Sequence, residues 1–391
     1  MNPEIFQEQQ RAHCRRQPEG YFAFLPPRLP PQLPIDWELA GLLSDADRAV
    51  AELSGAGRLL PNPHLLIRPY LRREAVLSSL IEDTYAEVEE LLLFDVSPES
   101  ALEKPSVREV SNHVLAVETG LKRLQELPIS TRLIKELHAI LLQTVRGGDS
   151  SKTPGEYRRS QNWIGRPGST LTTATYVPPP PHLLDETLSA WENYLHADSA
   201  EPPLVKIALL HYQFEAIHPF LDGNGRIGRL LITLFLCAQG ILSEPLLYLS
   251  SYFERYRDDY YRHLLAVSTQ GAWRDWIAYF LTGVRETAKE ALADTGRLVD
   301  LYQSYRAVLA QEKRVPSACA GMLDALFAAP MLSISQYAER HDESFHNVSK
   351  AVEFWRIQGL LAEVTKQKRN RIFIAAPILN VTRPKPAHRQ P

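Results

Sequence analysis

The stretch that decides the reading is H-P-F-L-D-G-N-G-R-I-G-R, His218 to Arg229, set between two apolar segments of helical length. Gly223, Asn224 and Gly225 allow backbone conformations that turn successive amide protons inward, and a helix starting there adds its positive end at the same spot. Such a cradle suits a polyphosphate. Arg226 and Arg229 stand three apart, so on a helix both guanidinium groups share a face and reach different phosphate oxygens. Asp222 precedes the cradle, where a carboxylate oxygen can hold Mg²⁺ bridging two phosphates. His218 faces the same pocket, and a neutral imidazole there is suited to take a proton from an attacking hydroxyl. Phe220 has no chemistry of its own and anchors the loop to the core.

Outward from this loop, the chain reads as mainly helical. A helix is expected to begin at Pro202 and end near His218-Pro219, with Leu204, Ile207, Ala208, His211 and Phe214 on one stripe. RIGRLLITLFLCAQG is almost wholly apolar past Arg229, as expected of a helix buried on most sides, with Gly240 as its stop. Upstream, WELAGLLSDADRAVAELS, REAVLSSLIEDTYAEVEELLLF and TRLIKELHAILLQTV carry the three- and four-residue apolar spacing of amphipathic helices. NWIGRPGSTLTTATYVPP reads as a short hairpin, the only clear strand pair before the C-terminus. FLPPRLPPQLP, from Phe24 to Pro34, is expected to be a rigid arm lying on its own domain. VPPPP, from Val177 to Pro181, is likewise not helical.

Beyond about Ala310 three short helical pieces precede LLAEVTKQKRNRIFIAA, in which two alternating runs flank a basic turn. That order describes a winged helix-turn-helix. Lys350 and Arg356 fall on its recognition helix, and Lys366, Lys368, Arg369 and Arg371 crowd the wing tip, which suits DNA phosphates. The recognition helix also carries Phe354 and Trp355 inward and offers few long polar side chains for base edges, which favours a protein-binding or dimer-forming module.

Composition bounds the rest. The 391 residues are 45% hydrophobic and 23% charged, with a net charge of -3 that gives no general pull toward nucleic acid or membrane. Cys14, Cys237 and Cys319 lie far apart in no metal-ligand spacing, and the polar N-terminus has no secretory apolar core. A cytoplasmic protein is expected.

The decisive loop resembles the signature of the Fic (Fido) family, H-x-F-x-[D/E]-G-N-G-R-x-x-R, at every defining position. The resemblance implies a protein adenylyltransferase that moves AMP from ATP to a Ser, Thr or Tyr hydroxyl of a target protein, itself included. His218 would be the base, Asp222 the Mg²⁺ ligand, Gly223, Asn224 and Gly225 the anion hole, and Arg226 and Arg229 the phosphate clamps. Doc-like phosphotransferases carry Lys where this chain has Gly225, which argues against that branch. Trp163 to Val177 is similar to the family's flap, with Thr172, Thr173, Ala174 and Thr175 lining the target groove. LYLSSYFERYRDDYYRHL looks like the segment after the core, with Tyr256 at a nucleotide-contact position where relatives commonly have Asn. Ser78 to Asp83 is similar to the inhibitory motif [S/T]-x-x-x-E-[G/N], Asp83 departing from its last position. In that role Glu82 would pair with Arg229, removing the clamp for the γ-phosphate, with Ser78 as the inhibitory motif's first residue.

The fold expected is therefore a Fic helical core with a β-hairpin flap, an N-terminal helical segment and a C-terminal winged helix-turn-helix. The expected division is 1–104 for the arm and inhibitory helix, 105–265 for the catalytic core, 266–310 for a helical linker and 311–380 for the winged unit. Partners expected are a target protein and a second copy of the chain, with DNA less favoured and no membrane. AMP removal, transfer of another nucleotide or phosphodiester, and transcriptional regulation are the rival functions.

Overall fold

Apolar periodicity in this chain builds helices, and the structure, a computed structural model, describes them over residues 1–58, 64–97, 104–143, 152–365 and 370–383. The N-terminal part holds a four-residue helix α1 (Glu8–Arg11), strands β1 (Cys14–Arg16) and β2 (Phe22–Phe24), and helices α2 (Trp37–Arg58), α3 (His64–Ile81) and α4 (Val88–Val96). Next come α5 (Pro105–Arg123), α6 (Thr131–Leu141), α7 (Leu184–His196), α8 (Pro203–Ile217), α9 (Asn224–Ala238), α10 (Ser250–Arg255), α11 (Arg257–Gln270) and the 39-residue α12 (Trp273–Gln311). The last unit is α13 (Cys319–Ala328), β3 (Met331–Ser333), α14 (Ile334–Arg340), α15 (Phe345–Ile357), β4 (Ala362–Glu363), β5 (Ile372–Ile374) and α16 (Ala376–Thr382).

Helices α8 and α9 form the centre. The sequence suggested a single apolar stripe on α8, but every α8 residue except Pro203 and Glu215 is buried, because α7, α9, α11 and α12 all pack around it. Burial on all sides obliges its polar groups to find partners. His211 meets the Gly228 carbonyl at 3.1 Å and the Tyr260 hydroxyl at 2.9 Å. The indole N–H groups of Trp191 and Trp276 donate to the Leu210 and Ala208 carbonyls. The long α12 lies against α2 and α8, so the segment read as a linker is part of the core.

Three further expectations change. REAVLSSLIEDTYAEVEELLLF is two helices, because Asp83 takes a left-handed conformation (φ 58°) that ends the first turn sequence after Ile81. The hairpin at 163–177 reduces to one bridge, Ile164 to Tyr176, since Thr173 Oγ1 accepts from the Thr170 amide and the Thr173 amide bonds the Thr170 carbonyl, curling the tip into a turn. A strand pair does precede it: β1 and β2 are antiparallel, Cys14 opposite Phe24, and at three residues each they are too short to display alternation. The Phe24 amide donates to the Val177 carbonyl, and Leu29 and Leu33 pack on the core, so the proline-rich arm lies along its own domain.

In the terminal unit β3, β5 and β4 form an antiparallel sheet in that order, beside three short helices. Trp355 is buried and donates to the Cys319 carbonyl, fixing α15 on α13. Arg356 is bidentate to Glu353 and Arg371 to Glu363, so both basic side chains are neutralised within the unit. Lys366, Lys368 and Arg369 lie outside the described residues. Among the described residues no helix is long and apolar enough to cross a membrane.

Candidate active site

The loop between α8 and α9 is closed by Asn224. Its side chain accepts from the Phe220 amide and donates to the Phe220 carbonyl, both at 2.8 Å, so one amide group ties the loop into a ring. Asn162 donates to the same carbonyl at 2.8 Å. Phe220 is fully buried, stacked on His138 at 3.7 Å with 10° between the planes. His138 Nδ1 accepts from the Gly155 amide, so its Nε2–H is the donor to the Asp222 carbonyl at 3.0 Å. Gly223 has φ 77°, which an L side chain would strain, and a Cβ there would meet Leu141 at 3.2 Å.

His218 caps α8 in a left-handed conformation (φ 49°, ψ 61°). Its Nδ1 lies 3.3 Å from the Glu215 carbonyl, which can only accept, so the proton sits on Nδ1 and Nε2 keeps its lone pair. Burial first, and then the Arg158 cation, push the imidazole down to about 4; the Glu215 carbonyl, Glu82 and Asp222 oppose them. The neutral base is thus the resident form at ordinary pH.

Arg229 is 2% exposed and engaged through Nε and Nη2. It donates to Ser78 Oγ at 2.9 Å, to the Ser78 carbonyl at 2.8 Å and to Glu82 Oε1 at 2.9 Å. Glu82 lies just past the end of α3, and its carboxylate rests on the cradle itself: a Cβ on Gly225 would come 2.2 Å from Glu82 Oε1. Burial works against the Arg229 charge, but Glu82 and neighbouring groups outweigh it and hold the guanidinium protonated. Asp83 pairs with Arg257 at 2.7 Å, and Tyr261 donates to the Ile81 carbonyl, so α11 grips the same end of α3. The left-handed backbone at Asp83 explains why Gly or Asn is the motif's usual residue there.

Arg226 is placed differently from expectation. It pairs with Glu109 of α5 at 3.4 Å and with Asp222 at 3.6 Å, and Glu109 also accepts from Thr84. Asp222 keeps a side chain 40% exposed, with Oδ1 accepting from the Gly223 amide. Among the described residues no three metal-ligand side chains cluster. A single exposed carboxylate fits Mg²⁺, which takes one or two protein oxygens and completes its shell with water and phosphate.

The structure therefore brings His218, Asp222, Gly223, Asn224, Gly225, Arg226, Arg229, Ser78 and Glu82 together. Tyr256 lies between α10 and α11, its ring 4.8 Å from Tyr252. Thr172, Thr173 and Thr175 are exposed, whereas Ala174 is buried. Sequence reasoning missed Glu109, His138 and Arg158. The apolar stripe of α6 could have flagged His138, since a histidine on a buried face needs partners.

Residues 128–236 match the Fic/DOC family, and residues 40–122 match the Fic/DOC family N-terminal region. The chain is 28% identical over 242 residues to the protein adenylyltransferase Fic of Drosophila persimilis, covering 60% of this chain and 43% of that protein. It is 30% identical over 183 residues to the protein of the same name from Drosophila willistoni, covering 45% of this chain and 33% of the other. The chain thus spans less than half the length of these relatives. Among solved structures it is similar to a Fic family protein from Desulfovibrio desulfuricans, with a TM-score of 0.57 at 19% identity over 89% of this chain and 98% of that one. A Fic domain containing signaling protein from Bacteroides thetaiotaomicron gives a TM-score of 0.51 at 19% identity, over 64% of this chain and 95% of that one. These two likenesses concern the fold.

Proposed function

Over residues 40–122 and 128–236 the chain belongs to the Fic/DOC family, and on that premise we propose that it is a protein adenylyltransferase held in check by Glu82. The observation that carries the reading is the carboxylate of Glu82 on the Gly225 backbone, gripped by Arg229. A cradle that receives one anion in this way has the amide dipoles and the cation that a phosphate group needs.

In the reaction a hydroxyl oxygen of the target protein attacks the α-phosphorus of ATP. His218 Nε2 takes the hydroxyl proton, the bond from the α-phosphorus to the bridging oxygen breaks, and pyrophosphate leaves with that oxygen. AMP remains on the target as a phosphodiester. Mg²⁺ held by Asp222 supplies charge neutralisation on the phosphates when bound. The amides of Gly223 to Gly225 orient the polyphosphate, and Arg229, once freed, meets the γ-phosphate. Arg226 stays on Glu109 and Asp222 and so acts mainly by orienting the carboxylate. The exposed threonines 172, 173 and 175 flank the approach of the target segment.

Incubating the full chain carrying Glu82→Gly with α-labelled or γ-labelled ATP tests this. Protein that retains only the α label, with an added mass of one AMP by mass spectrometry, is the expected result. Retention of the γ label would replace AMP transfer with phosphotransfer, and no label from either would remove the reading.

A further inference from the structure

Arg158 is 2% exposed, yet among the described residues no carboxylate lies within ion-pair distance of it. Long cationic side chains are almost never buried without an acid, because desolvating the charge costs several kcal/mol, so an unpaired one needs another source of acceptors. Here the acceptors are backbone carbonyls. Nε donates to the His218 carbonyl at 2.9 Å, and Nη2 donates to the Ile217 carbonyl at 3.4 Å and to the Pro179 carbonyl. The Arg158 amide itself donates to the Pro219 carbonyl at 3.0 Å. The carbonyls at 217 and 218 belong to the C-terminal end of α8, where intrahelical donors run out and a cation is favoured.

Two elements meet on this one guanidinium. Residue 179 is the base of the flap, which the same segment also holds through Gln161 to the Pro178 carbonyl at 3.0 Å and through the Ile164 to Tyr176 bridge. Residue 218 is the histidine in its left-handed cap, a conformation that persists only when its surroundings over-determine it. Asn162 adds a second, longer contact to the His218 carbonyl at 3.4 Å.

We propose that Arg158 is a positioning residue that joins the base of the flap to His218, fixing the left-handed cap and thereby the direction in which Nε2 points. This rests on the reading of His218 as the base. The cation has a second effect. It sits beside the imidazole and disfavours its protonated form, while the Glu215 backbone carbonyl of α8 and the carboxylates of Glu82 and Asp222 favour it. A plain helix cap would require the carbonyl contacts alone; a positioning residue ties geometry and base strength to the same side chain.

The test compares Arg158→Gln and Arg158→Lys in the full chain carrying Glu82→Gly. Two readouts are taken: the pH profile of AMP transfer, and the titration midpoint of His218 followed by NMR of its imidazole. The Gln variant is expected to lose about tenfold in kcat with KM for ATP nearly unchanged. Its acid limb and the His218 midpoint should both rise by about one pH unit. The Lys variant keeps the charge but cannot reach three carbonyls, so its midpoint should stay low while kcat falls. An unchanged midpoint and limb in the Gln variant, with only a loss of thermal stability, would overturn the proposal. Should the Gln variant not fold, the Lys variant decides, since a kcat equal to that of the Glu82→Gly parent overturns it and a lowered kcat at unchanged melting supports it. A shifted midpoint in a protein that transfers no AMP would leave the positioning role standing and remove the adenylyltransferase reading instead.

Discussion

Glu82 occupies the place that a side chain on Gly225 would need: the distance from Oε1 to a Cβ built there is 2.2 Å. The same oxygen is 2.9 Å from Arg229 Nη2. One carboxylate thus blocks the cradle and ties up its cation, although the two partners are 147 positions apart in sequence.

Removing that carboxylate is expected to raise AMP transfer. Coupling energies of roughly 1–3 kcal/mol correspond to about 5–150-fold, and the half-exposed setting of Glu82 (35%) puts the effect toward the lower part of that span. Glu82→Gln should give a smaller rise, because the amide still fills the space without the charge. Transfer of α-labelled AMP by the three proteins, side by side, is the measurement, and equal rates would contradict the inhibitory role.

Gly225→Ala should fail differently. The methyl group meets Glu82 at 2.2 Å and Arg229 Nη1 at 2.9 Å, so it pushes on the Glu82–Arg229 contact and also enters the proposed phosphate cradle. In the Glu82→Gly background only the second effect remains. Calorimetric titration with a non-hydrolysable ATP analogue is expected to give affinity about tenfold weaker than the parent, close to 1.4 kcal/mol. Undiminished affinity would mean that the nucleotide phosphates do not use this backbone.

Helix α3 is anchored by a buried pair, Arg73 with Asp294 of α12 at 3.2 Å, the side chains 10% and 6% exposed. Asp294→Ala leaves a buried cation short of its acid, a change that typically costs about 3–5 kcal/mol. A lower melting temperature is expected together with higher AMP transfer at temperatures below the melt, because a loosened α3 presents Glu82 less firmly. Loss of stability with no gain in rate would separate the anchor from the inhibition.

Glu74, on the same helix, gives a pH signature. Burial pushes its carboxyl up to about 7, against the opposing hydrogen bonds from Ser250. The native state therefore keeps a proton that the unfolded chain, titrating near 4.5, gives up. The stabilising contribution is complete below the unfolded value and is lost as pH rises through about 7. Glu74→Gln removes this loss, so its melting temperature relative to wild type should climb by about 1–3 °C between pH 5 and pH 8. A constant difference across that range would show that Glu74 is ionised in the folded protein.

The site was legible in sequence wherever its parts are contiguous. His218 to Arg229 could be read because a loop between two helices keeps its glycines, acid and arginines together whatever surrounds them. The three short helices of the terminal unit were legible for a similar reason, since the pieces at 319–328, 334–340 and 345–357 follow one another at short spacing. The flap was misread at its tip, where threonine side chains compete locally with strand pairing. The β1–β2 pair was invisible, because three residues do not establish a period.

Local chemistry along the chain set by itself the glycine loop, the histidine beside it and the helices on either side, since backbone freedom at glycine and apolar spacing act between near neighbours. Only the tertiary structure decided which charges meet: Arg229 with Glu82, Arg226 with Glu109, and Arg158 with no acid among the described residues but with the carbonyls around His218. Pairing energies depend on distance and on exclusion of water, and neither is written in the order of residues. Folding sets both when α3, α5 and the 155–162 segment close around the end of α8.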